Sequence, residues 1–258
     1  MSRFRLGIIG ALLLLPSFAQ AGFLVRSPSD IDYGEFELEH NGTANFDRRR
    51  DQRGARSYTI EFAAGLTPWW KTELEVSFQR NAGPGQSTLL NAIVTENIFQ
   101  LTQPGEYWAD FGFYFEYGQS LTRGRNAGPN AAVFGPLIAK DIGRTTHTLN
   151  VLFTRQLGPN QTSSGLDLSY AWQSRWNVWE ALSPAFEIYG DAGVLGRSPR
   201  LSQQQLLAGP VAVGAIRLAD LGLKRPGKIK YEAGYLFGAT QATARGTLRW
   251  RLELEIPF

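Results

Sequence analysis

Near the end of the chain, Leu248, Trp250, Leu252, Leu254, Ile256 and Phe258 share one parity, and Thr247, Arg249, Arg251, Glu253 and Glu255 share the other. Period-two alternation of this strictness places the two sets on opposite faces of a β-strand, one wholly apolar and one charged or hydroxylic. The same pattern recurs upstream. Tyr58, Ile60, Phe62 and Ala64 oppose Thr59, Glu61 and Ala63; Thr72, Leu74, Val76 and Phe78 oppose Lys71, Glu73, Glu75, Ser77 and Gln79. Phe111, Phe113, Phe115 and Tyr117 oppose Asp110, Gly112, Tyr114 and Glu116, and Ile229, Tyr231, Ala233, Tyr235 and Phe237 oppose Lys228, Lys230, Glu232 and Gly234.

Read in order, the alternation predicts strands over residues 32–45, 57–66, 70–80, 93–101, 108–117, 133–142, 145–157, 166–173, 182–195, 206–218, 228–237 and within 245–258. The tenth is apolar on both parities and its facing stays open; the fourth is weak, and Pro136 interrupts the sixth. Turn chemistry separates the strands: Thr67-Pro68-Trp69, Gln103-Pro104-Gly105, Gly143-Arg144 and Lys224-Arg225-Pro226-Gly227. Connections after strands one, three, five and nine read as long and polar, and those after two, four, six and ten as tight. Strands of about ten residues with an apolar and a polar face suit a transmembrane antiparallel up-and-down β-barrel of about twelve strands. The fold class is therefore all-β, in one domain over residues 22–258. Trp69, Trp70, Trp108, Trp176 and Trp179 cluster at or beside the short turns, as an interfacial girdle would.

Residues 1–21 read as a signal peptide. Arg3 and Arg5 precede an apolar run from Leu6 to Leu15, and Ala19-Gln20-Ala21 supplies a small-residue cleavage site. Export followed by barrel insertion places the protein in the cell outer membrane. Its partners there are outer-membrane lipid and the barrel-assembly machinery, for which the aromatic Phe258 is the assembly signal. A mean hydropathy of −0.21 does not oppose this, because lipid-facing and lumen-facing residues average out. There is no cysteine, which excludes disulfides and thiolate catalysis, and a net charge of +3 gives no concentrated basic face for nucleic acid.

The inward parity carries the charge. Candidate lumen residues are Glu35, Glu37, Glu39, Glu61, Glu73, Glu75, Glu116, Glu232 and Glu253, with Lys71, Lys228, Lys230, Arg249 and Arg251. Asp110, Asp167, Glu187 and Glu255 share that parity. Closure would set strand one beside strand twelve, so that Arg249 and Arg251 meet the glutamates of strand one. Such charges either form a salt-bridge network that fills the lumen or a constriction that selects solutes. Outside the wall, Arg48, Arg49, Arg50 and Arg53 crowd one outer loop and could contact lipid phosphates. The two histidines, His40 near the outer rim and His147 near the opposite one, have no neighbouring nucleophile at a known spacing. No cofactor or metal motif is present.

The stretches Gly65-Leu66-Thr67-Pro68-Trp69-Trp70-Lys71-Thr72-Glu73-Leu74-Glu75, Glu96-Asn97-Ile98-Phe99-Gln100-Leu101 and Lys140-Asp141-Ile142-Gly143, with Leu149-Asn150, resemble the outer-membrane barrels associated with the meta-pathway of phenol degradation. The resemblance covers residues 33–175 and implies an outer-membrane protein handling hydrophobic or aromatic solutes; it transfers no site residues. The favoured function is a passive channel or transporter for small solutes and not an enzyme. The alternatives are a structural or adhesion barrel with a salt-bridge-filled lumen, and an outer-membrane lipid hydrolase using His147 or His40.

Overall fold

The computed structural model describes residues 23–124 and 127–258. Twelve strands follow one another: β1 (Glu35–Phe46), β2 (Arg56–Thr67), β3 (Trp70–Arg80), β4 (Leu89–Gln100), β5 (Asp110–Ser120), β6 (Asn130–Ile142), β7 (Thr145–Leu157), β8 (Leu166–Trp176), β9 (Ser183–Val194), β10 (Gln205–Arg217), β11 (Lys228–Gly238) and β12 (Gly246–Pro257). Each pairs antiparallel with its sequence neighbours, and β1 pairs with β12, which closes the barrel. Closure gives every strand a partner on both sides and leaves no sheet edge.

The two faces carry opposite chemistry. Inward-pointing Glu37, Glu61, Lys71, Glu75 and Arg249 are buried, while outward-pointing Phe36, Phe62, Leu74, Phe115, Phe237 and Leu252 are exposed. An apolar exterior running round a whole barrel has no stable place in water and suits hydrocarbon. Trp69, Trp108, Trp176 and Trp179 are exposed at the even-numbered turns, all at one end of the barrel. That end also holds the chain's last residue, where the Phe258 ring packs 4.2 Å from Phe36 and its N–H donates to the Gly34 carbonyl at 2.9 Å.

Most strand positions match the alternation, with four corrections. β1 begins at Glu35 rather than residue 32, because Asp32 and Gly34 take positive φ (39° and 84°) and turn the chain into the barrel. β4 begins at Leu89, earlier than its alternation is visible. β8 continues to Trp176, so Trp176 closes a strand rather than lying in a turn. The connections after β4 and β10 are not tight; the second folds a 3-10 turn, Leu218–Leu221.

The main finding absent from the strand pattern is that residues 23–32 lie inside the barrel, with Tyr33 exposed where the chain enters β1. Ile31 is buried with Ile98, Tyr114 and Leu137 from β4, β5 and β6. Phe23 and Val25 pack on an apolar patch made by Tyr189, Leu207, Val211, Val213 and Leu236 from β9, β10 and β11. This settles the facing of β10. Its inward residues are apolar because they cover the segment, and its outward residues are apolar because they face lipid. The segment slides past the wall where side chains are missing: a Cβ on Gly65 would lie 2.3 Å from the Ile31 carbonyl oxygen, and one on Gly112 would lie 2.8 Å from Pro28 Cβ.

Candidate functional site

The lumen has two unlike walls. β8 to β11 contribute the apolar patch, whereas β12 and β1 to β5 contribute carboxylates. The register stacks them in direct cross-strand pairs: Glu253 opposite Glu39, Glu39 opposite Glu61, Glu61 opposite Glu75, Glu73 opposite Glu96 and Glu96 opposite Glu116. Like charges directly opposite one another destabilise a sheet. Cations from elsewhere must offset them.

Near the turn end they do. Lys71 of β3, 1% exposed, pairs with Glu37 and, at 3.2 Å, with Glu73. Lys230 of β11 contacts Glu255, lies 3.3 Å from Glu253, and reaches Asp30 at 3.1 Å and Asp32 at 2.9 Å. Lys228 pairs with Glu255 at 2.7 Å. Asp32, Glu37, Glu253 and Glu255 bring ligand atoms within 4.8 Å of one another, but these lysine ammoniums already supply their counter-charge.

The expected seam forms only in part. Arg251 donates from Nε to Glu39 at 2.7 Å and its Nη2 lies 2.6 Å from Glu253, so it does lock β12 to β1. Arg249 lies opposite Thr43 in the ladder, but its guanidinium pairs with no glutamate of strand one. It is 1% exposed, donates from Nε to Glu187 of β9 at 2.6 Å, and bonds Glu187 again and Glu232 of β11 through Nη2. Gln173 donates to the same Glu187 at 2.7 Å, and the Tyr189 hydroxyl lies 2.8 Å from it. The long guanidinium reaches across the interior instead of along the seam.

The N-terminal segment supplies the remaining cation. Arg26 Nε and Nη2 both donate to Glu96 Oε2, at 3.0 and 2.6 Å, and the guanidinium sits 4.5 Å over the Tyr114 ring centroid. Its backbone is held as well: Arg26 N–H donates to Asn150 Oδ1 and Asn150 Nδ2 donates to the Arg26 carbonyl, each at 2.8 Å. Arg26, Asp30, Asp32 and Glu96 were not among the sequence candidates. Residues 23–33 show no strand period, and Glu96 is flanked on its face by Val94 and Ile98. The only signal was the surplus of carboxylates over inward cations.

Beside the segment lies a polar cavity of 530 Å³ at the turn end, lined by Ser27, Asp30, Thr148, Arg175, Lys230 and Arg251 among others. Outside the wall a second hollow of 660 Å³ is apolar, lined by Trp176, Leu182, Pro184, Pro210, Tyr235 and Leu248. Val178 and Trp179 of the β8–β9 turn border both.

Glu35 is only partly buried, at the rim. Among the loop arginines, Arg48, Arg50 and Arg53 are exposed. Arg49 is committed elsewhere: it bonds Asp47 and the carbonyls of Gln241 and Thr243, tying the β1–β2 loop to the β11–β12 loop. Asp47 also accepts the Arg245 N–H at 2.9 Å. Hydrogen bonding from Arg49 holds the Asp47 carboxyl well below the usual carboxylate range. Because that value is depressed, the clasp is complete above the ordinary carboxylate range and is lost only as pH falls through the depressed value. Asp47→Asn is expected to speed trypsin cleavage after Arg245 about fivefold at neutral pH, the factor that loss of roughly 1 kcal/mol implies. An unchanged cleavage rate would show that the clasp does not hold this loop.

His40 is mid-strand rather than near the outer rim, paired with Leu252 and Ile60, with Nδ1 2.8 Å from the Thr59 carbonyl oxygen. His147 stacks on Trp172, with Nε2 3.0 Å from Thr145 Oγ1. Both lie on the outward parity.

A closed antiparallel barrel with an apolar outside and a charged, occupied inside defines the class of transmembrane β-barrels. No protein-family model and no curated protein sequence matches the chain. Among solved structures it is similar to one described as a bacterial polysaccharide outer membrane secretin, with TM-score 0.43, 10% identity, and coverage of 88% of this chain and 99% of that one. It is also similar to a variant of OccD1 (OprD), with TM-score 0.39, 10% identity, and coverage of 86% of this chain and 65% of that one.

Proposed function

We propose that this protein is an outer-membrane channel for small solutes whose lumen is held closed by its own N-terminal segment. The observation that carries the reading is the seat of residues 23–32. A segment that turns once, with the Asp30 N–H donating to the Ser27 carbonyl, is gripped by Glu96, Asn150, Lys230 and the apolar patch, alongside a polar cavity of 530 Å³. A barrel of eight strands fills its interior with side chains and one of sixteen encloses an open channel, so twelve strands leave room for an added segment. The outer-membrane location rests on the signal-like residues 1–21, which lie outside the described residues, and on the apolar exterior. The resemblance to phenol-degradation barrels adds hydrophobic or aromatic solutes as a substrate class, and the apolar inner wall of β9–β11 is compatible with them.

The second reading, a structural barrel with a filled lumen, is favoured by the burial of Lys71 and Arg249 in ion pairs. Deletion of residues 23–31 separates the two. The channel reading expects the full-length chain to conduct little in planar bilayers and the deletion to conduct steadily. A folded deletion variant that leaves bilayers tight would overturn it in favour of the structural barrel.

A further inference from the structure

Glu61, Glu75, Glu96 and Glu116 form one acidic patch on the inward face of β2 to β5. Among the described residues, Arg26 is the cation seated on it. Glu61 is served by neutral donors, Asn41 and Thr59, each at 2.5 Å. Glu75 is 3% exposed, faces Glu61, Glu96 and Glu116, shares a side-chain hydrogen bond with Glu96, and its Oε1 has no hydrogen-bond partner. A buried carboxylate oxygen without a partner is costly and calls for positive charge or a donor. The patch therefore accommodates more cation than one guanidinium provides.

Arg26 also shows what such a patch recognises. Its guanidinium combines a charged hydrogen bond to Glu96 with a face-on contact to Tyr114, two interactions that select a flat or compact organic cation. The adjoining Phe23 ring sits edge-on to Tyr189, 5.1 Å between centroids, on the apolar wall. The segment thus sets a cationic head on the acidic wall and an apolar ring on the wall of β9 to β11.

Building on the channel reading, we infer that the patch around Glu75 and Glu96 is a binding site for solutes bearing a guanidinium or primary ammonium group, and that Arg26 occupies it as a built-in competitor. A solute of this class takes the Arg26 position when the segment withdraws. Anionic solutes are turned away by the same carboxylates.

The test uses L-arginine as probe, with L-glutamate and glucose as controls. In liposomes carrying the variant lacking residues 23–31, arginine should enter about tenfold faster than glutamate, and Glu96→Gln with Glu75→Gln in that background should remove the preference. Equal entry of all three solutes would overturn the site while leaving the channel intact; entry of none would overturn the channel itself. Calorimetry in detergent gives a readout independent of permeation and of the deletion. The full-length Arg26→Ala variant, its folding checked by heat-modifiable gel migration, should bind arginine at least about tenfold more tightly than the parent chain, because its competitor is gone. Equal affinity in the two chains, or no binding by either, would refute the assignment.

Discussion

Replacing Arg249 with Met is expected to destabilise the barrel by about 3–5 kcal/mol, the usual result of removing one partner from a buried ion pair. The cost arises from what is left behind. Glu187 keeps only Gln173 and Tyr189 as donors, and Glu232 keeps Arg251 at 3.7 Å. Glu187 is then left with neutral donors only, and Glu232 with the longer of its two guanidinium contacts. The effect should appear as a lower temperature for the heat-modifiable gel shift and a lower urea midpoint for unfolding from lipid vesicles. Adding Glu187→Gln to Arg249→Met should restore much of the loss, since a neutral amide no longer needs the guanidinium. If the single variant unfolds at the parent temperature, the cross-lumen contact seen for Arg249 is not a stabilising one. Arg251→Glu provides the seam counterpart: it places a carboxylate against Glu39 and Glu253 and should weaken the β1–β12 closure in the same assay.

The second large effect is expected from Arg26→Glu. This change keeps a charged side chain in the segment but turns its attraction for Glu96 into repulsion, and like-charge contact in a desolvated site costs several kcal/mol. The Asn150 clamp and the Phe23 and Val25 contacts cannot hold the segment's first half against that penalty, so residues 23–29 should leave their seat while Lys230 still holds Asp30 and Asp32. Two measurements report it: cleavage of the segment by added protease, and a sustained rise in bilayer conductance. Gly112→Val is a steric control. Its side chain would collide with Pro28 without altering any charge, and it should raise conductance in the same direction. A protected segment and an unchanged conductance in Arg26→Glu would show that Glu96 does not hold the segment in place.

Different parts of the molecule were legible for different reasons. The faces of β2, β3, β5, β11 and β12 follow directly from alternation, because one neighbour is hydrocarbon and the other a charged lumen. β10 broke that rule. Its inner neighbour is Phe23 and Val25, so Leu207, Val211 and Val213 are apolar on a face where charge was expected. The same cause hid part of β4, where Ile98 meets Ile31. The inward charges were identified by parity, but their partners were not. Arg251 meets strand one as adjacency suggested, whereas Arg249 crosses to Glu187, 62 residues away in sequence.

By itself the sequence determined an antiparallel barrel of about twelve strands, the apolar outer face of the cleanly alternating strands and most of the charged positions that share the inward parity. Those properties are local: a period of two and a few turn residues are enough to express them. Only the tertiary structure decided that residues 23–32 occupy the lumen, that Arg26 answers Glu96, and that Glu75 Oε1 is left without a hydrogen-bond partner. Those properties depend on which side chains meet across a closed interior, and no spacing along the chain encodes a distance through space.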